Sequence, residues 1–134
     1  MLKALFASQS MGADASRVAA MAVAMWKNVG IALAPIIGRT GVDALFTRSI
    51  HMTRAAHPCL AIIAEDNTQG DILAALQAVL VQQPDTTAVA ANIALLQNFE
   101  DLLGSLIGLS LTKRLLRPVW DKPSSGQTEQ DATL

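Results

Sequence analysis

"EDLLGSLIGLSLTKRLLRPVW" occupies residues 100–120, and the fold turns on how it is read. Leu and Ile recur at helical spacing, yet Gly104 and Gly108 stand four apart inside the pattern. A glycine costs a helix interior roughly 0.8–1 kcal/mol relative to Ala, so the pair calls for a reason. On a wheel of about 100° per residue, Leu102, Leu106 and Leu109 form one arc. Leu103, Ile107 and Leu111 form a second, and Gly104, Gly108 and Leu115 a third. Asp101, Ser105 and Thr112 make the only narrow polar strip. Such a helix is expected to be buried almost all round. Another backbone is then expected to press against Gly104 and Gly108, either within one chain or across a subunit interface. Gly104 also permits a kink.

The same helix is predicted to open at Asp85 or Thr86, just after Pro84, and to run to Arg117, where Pro118 closes it. At ~1.5 Å per residue its length is roughly 46 Å, so much of it must find cover from the first two helices or from a second molecule. Upstream, "GDILAALQAVLVQQ" (70–83) predicts a shorter helix with Ile72, Leu73, Leu76, Val79 and Leu80 inward. A first helix is predicted from a cap at Asp14 or Ser16 towards Pro35. Val18, Met21, Met25, Val29 and Ala32 form its stripe, with Ala22, Trp26 and Leu33 beside it, while Lys27 and Asn28 mark the wetter side. Pro35 and Gly38 should end it, and "VDALFTRSIHMTRAAH" (42–57) should form the next helix, stopped by Pro58. "PCLAIIAEDNTQ" (58–69) reads as coil or turn, because a lone strand would lack a partner. The fold expected is all-α: a four-helix bundle with a long C-terminal helix. Residues 1–13 are expected to be a flexible leader, 14–120 one bundle domain and 121–134 a disordered tail. No internal repeat is evident in the order of residues.

Composition narrows the function classes. Of 134 residues, 51% are apolar and only 16% charged, below the usual ~25%. A small domain so poor in charge hides surface against a partner or touches a membrane. Net charge is −1, so no basic field draws it to nucleic acid. There is no Tyr, which argues against a base-stacking face. One cysteine, Cys59, excludes an intrachain disulfide and a cysteine-based zinc cluster, and suits a reducing, cytoplasmic setting. The apolar stretches are interrupted too often for the ~20 residues a bilayer span requires. Polar residues between Lys3 and the apolar run 18–26 are unlike a compact signal peptide.

The densest polar cluster is "RSIHMTRAAHPC" (48–59), which puts Arg48, His51 and Arg54 along one helix. The plain reading is a solvated face, with Arg48 or Arg54 paired to Asp43, Glu100 or Asp101. A histidine phosphotransfer role for His51 needs an exposed imidazole with cations nearby. A metal site from His51, His57 and Cys59 has poor helical spacing. Lys113, Arg114 and Arg117 would complement a helix C-terminus or dock an anionic partner. There is no phosphate loop, nucleophile elbow, His-Glu-x-x-His motif or carboxylate pair placed for acid–base work, so no enzyme and no cofactor are expected.

"LAPIIGRTGVDALFTRSIHMTR" (33–54) and "LLQNFEDLLGSLIGLSLTKRLLRPVW" (95–120) together resemble a group of short, uncharacterised, all-helical bacterial proteins. These carry a Leu-x-Pro-Ile-Ile-Gly…Ala-Leu-Phe-x-Arg-Ser-x-His block and a Leu-Ile-Gly-x-x-Leu-Thr-x-Arg-Leu-Leu ending. The resemblance implies a compact, bacterial, cytoplasmic protein with no established activity. It draws attention to Arg39, Arg48, Ser49, His51, Thr112 and Arg114 as one polar network. The function expected is a non-enzymatic interaction module, accessory to bacterial signalling. It would act as a homodimer and dock through Arg48, His51 and Arg54 or through Arg114 and Arg117. The alternatives are phosphotransfer through His51 and binding of an apolar small ligand between helices.

Overall fold

The computed structural model describes residues 2–65 and 72–121, and among these residues every regular element is helical. In chain order they are α1 (Leu2–Gln9), α2 (Ala15–Thr53), a 3-10 turn (Pro58–Leu60), α3 (Ala61–Glu65), α4 (Ile72–Val81), α5 (Asp85–Ile107) and α6 (Leu109–Asp121). All-α is therefore correct. The plan of four helices with the longest at the C-terminus is not. The longest helix is α2, near the N-terminus, and the one expected over 85–117 is broken in two at Gly108.

Asp14 starts α2 by accepting the Arg17 amide on its carboxylate at 2.9 Å. The helix is not straight. Pro35 has no N–H to give and its ring crowds the carbonyl one turn back. Three residues on, Gly38 takes φ 79° and ψ 160°, a conformation open almost solely to glycine. The result is an elbow between an N-terminal limb (15–37) and a C-terminal limb (39–53). The stop expected at Pro35 and Gly38 is thus real, although the second limb starts at once. Gly108 does the same between α5 and α6, at φ 91° and ψ 150°.

These two breaks expose a repeat that the residue order hides. Adding 70 to a residue number in the first half gives its counterpart in the second, as for Gly38 and Gly108. Each half is a short helix, a long helix, a glycine elbow and a closing helix. Residues 29–40 and 99–110 share one pattern of burial, position by position. Phe6 matches Leu76, Trp26 matches Leu96, Leu33 matches Leu103 and Phe46 matches Leu116, and all eight are buried. Few positions keep their residue type; Asn28/Asn98, Leu33/Leu103 and Ile37/Ile107 are among them.

The halves interlock. The short helix of each packs mainly on the long helix of the other, α1 on α5 and α4 on α2, while α2 and α5 cross at the centre. Residues 1–13 are accordingly no loose leader throughout: α1 is folded, and Phe6 is fully buried in the shared core. Residues 58–65 form the expected turn, continued by a short helix that seats Leu60 and Ile63. The tail expected beyond 121 lies outside the described residues.

α5 and α6 are also less covered than their pattern suggests. Leu103 and Leu116 are buried, but Leu106 is 68% exposed and Leu109 64%. Within this chain nothing comes within 4 Å of where a Cβ would stand on Gly104 or Gly108. The close helix crossing expected there is absent from the fold, and Gly108 is explained by its positive φ instead.

Candidate functional site

The elbow of α2 holds a concavity of about 340 Å³. Trp26, Lys27, Gly30, Ile31 and Ala34 come from one face of the N-terminal limb, at helical spacing. Arg39, Val42, Asp43 and Phe46 come from the facing side of the C-terminal limb. Ile72 and Leu73, in the first turn of α4, close the remaining side. The break at Gly38 makes this arrangement: a straight helix could not turn residues 26–34 and 39–46 towards one another.

Trp26 is the anchor of the site. Its indole Nε1–H donates to Asn92 Oδ1 at 2.8 Å, across the central crossing. Its ring meets Phe46 edge-on at 4.8 Å between centroids and Phe99 at 5.1 Å. Such pairs contribute about 0.5–1.5 kcal/mol beyond burial of area. The indole–amide bond fixes which way Asn92 points, since only its oxygen can accept. Asn92 Nδ2 is then left buried without a partner.

Gly30 sets the volume. A Cβ there would meet only Val42 Cγ1, at 3.9 Å, an ordinary contact. No close crossing demands a glycine at this position; its missing side chain leaves space in the cavity wall. The charged groups Lys27, Arg39 and Asp43 are exposed and stand around the mouth.

The docking residues read from sequence fall elsewhere. Arg48 and His51 are exposed on the C-terminal limb, and Arg54 is half-buried just past its end. Arg114 and Arg117 are exposed on α6, on a different element. Since α6 runs through Pro118 to Asp121, those cations lie inside the helix rather than in its last turn. The network proposed to join Arg39, Arg48, Ser49, His51, Thr112 and Arg114 does not form. Ser49 Oγ–H donates to Leu45 O at 2.7 Å, and Thr112 Oγ1–H to Gly108 O at 2.8 Å, each within its own helix. Asp101 accepts from Gln97 Nε2 at 2.8 Å, also within its own helix.

Two asparagines form the polar ties that the sequence did not disclose. Besides Asn92, Asn98 Nδ2–H donates to Thr53 Oγ1 at 2.8 Å, joining α5 to the end of α2. Thr53 Oγ1–H in turn donates to Ser49 O at 2.6 Å. An asparagine in an apolar helical run was the available signal, but sequence does not say which lies inward.

Among the described residues, no group of three His, Cys, Asp or Glu side chains could hold a metal ion. Burial pushes the Cys59 thiol above its ordinary pKa, partly offset by a backbone hydrogen bond, which leaves it a poor nucleophile. By length and composition alone α2 could cross a bilayer, with mean hydropathy 1.6 over its most apolar 18-residue window. A third of that window is buried inside the fold, and a core helix passes the same test. No family model matches the chain, and neither does any curated protein or solved structure.

Proposed function

We propose that the chain is a non-enzymatic helical binding module whose working part is the α2 elbow, where a small apolar ligand is held between helices. The observation that supports this is the cavity itself, about 340 Å³ with Trp26 and Phe46 in its wall. Ligand pockets start at about 300 Å³, and a dry engineered cavity of about 150 Å³ already takes up benzene. The ligand's reception would be read by the two limbs and α4, and passed on by helix-face docking to a partner, in line with an accessory role in bacterial, cytoplasmic signalling. Fluorescence tests the cavity. In a Trp120→Phe background, Trp26 is the only indole. Its emission should shift as an apolar probe such as toluene is titrated in, and Gly30→Leu should abolish that shift by filling the cavity. An emission that ignores every apolar probe removes this reading.

Two other readings each have one observation in their favour. Leu106 and Leu109 stand exposed beside Gly104 and Gly108, which suits a homodimer face. Light scattering that gives a monomer mass at micromolar concentration removes it. His51 is exposed in the last turn of α2, three residues from Arg48, which leaves its imidazole open to a phosphoryl donor. Incubation with acetyl phosphate should then give an acid-labile phosphate that His51→Gln lacks.

A further inference from the structure

We infer that the elbow cavity takes a single-chain carboxylate, with its hydrocarbon inside and its anionic end at the mouth. This rests on the cavity reading above and adds the chemical class of ligand. The interior is apolar: Trp26, Ala34, Val42 and Phe46 line it, with Ile31, 72% exposed, at its open side. Its volume, a little over twice the ~150 Å³ that holds benzene, has room for a chain of about ten carbons. The mouth is not neutral. Lys27 stands on the N-terminal limb and Arg39 beside the bend, so each limb contributes an exposed cation to the lining. Asp43, one turn beyond Arg39, offsets one of them and leaves the rim net positive.

The second elbow shows that this charge belongs to the cavity and not to the repeat. Gln97 and Leu109 stand where the first half has Lys27 and Arg39, and Glu100 and Asp101 replace Gly30 and Ile31. Lys113 stands where the first half has Asp43, so over these positions the charge goes from net positive to net negative, and the glycine that leaves room in the wall is lost. An apolar recess with a positive rim selects an amphiphile whose head is anionic, and a carboxylate can accept from either cation.

Calorimetry on the full chain, with octanoate, octan-1-ol and octylammonium below their aggregation limits, tests the assignment. Octanoate should bind about tenfold more tightly than octanol, and octylammonium more weakly than either. The preference should shrink as salt is raised, because the head group is solvent-facing. Lys27→Glu and Arg39→Glu lie on the surface and should leave the helical signal unchanged. Together they should cut octanoate affinity about tenfold and favour octylammonium. If all three chains bind equally, the cavity reading stands and the carboxylate assignment is overturned. If none binds while the protein is folded, both fail. Should the protein sediment with anionic vesicles yet ignore free octanoate, the assignment is overturned in favour of a membrane surface.

Discussion

The two elbows share a backbone and differ in what they enclose. Both turn on a glycine at positive φ, Gly38 and Gly108, and both are flanked by the same sequence of buried and exposed positions. The first places a proline three residues before its glycine, where the second has Ser105. Glycine alone is thus sufficient to make the break, and Pro35 is an addition. The first elbow also has Gly30, Trp26 and two cations around a cavity. At the matching positions the second has Glu100, Leu96, Gln97 and Leu109. The device that folds the chain is repeated, while the groups able to hold a ligand are not.

The largest effect that could break this comparison lies in the short helices. Phe6→Ala and Leu76→Ala remove matching, fully buried side chains. Thermal or denaturant melts should show losses of about 3–5 kcal/mol for the first and 2–5 for the second. A neutral Phe6→Ala would mean that α1 does not belong to the core, and the repeat would lose its first element. Next come the elbows. Gly38→Ala and Gly108→Ala meet no atom within 4 Å, so each should cost only backbone strain, about 1–3 kcal/mol. A clear cost at one glycine and a gain in stability at the other would show that the two breaks are different devices.

A smaller effect sharpens the contrast. Asn98 is tied to Thr53, whereas its counterpart Asn28 lies half-buried on the other long helix. Asn98→Ala should cost about 1 kcal/mol and Asn28→Ala less than half of that, measured by the same melts. The smallest change should be favourable. Gly30→Ala adds helix propensity and its Cβ finds ordinary space, so stability should rise by up to ~1 kcal/mol. A loss there would place Val42 nearer than the structure has it.

Helix type was legible from the periodic apolar stripe of α2, where Val18, Met25, Val29 and Leu33 are buried as expected. The breaks were legible only in part. Pro35 with Gly38 signals a stop, but "LLGSLIGLS" contains no proline, and its apolar run reads as continuous helix. Reading Gly108 as a close-packing residue followed from assuming that continuity. Nor could residue identity show the repeat, because burial at matched positions is met by different side chains, Trp26 by Leu96 and Phe46 by Leu116. Any apolar residue of fitting size satisfies such a position. The cavity was illegible for a related reason: Lys27 and Arg39 lie twelve residues apart on what reads as separate helices, and only the angle at Gly38 brings them to one rim.

The exchange of short helices between halves has a consequence for how the chain assembles. α1 finds its groove on α5, and α4 finds its own on α2. Neither half can cover its own long helix, so a nascent first half emerging alone would keep an uncovered apolar flank until its sibling is synthesised. Melting should accordingly be a single cooperative event, and two separately produced fragments would be expected to recover structure only when mixed, as mutual chaperones.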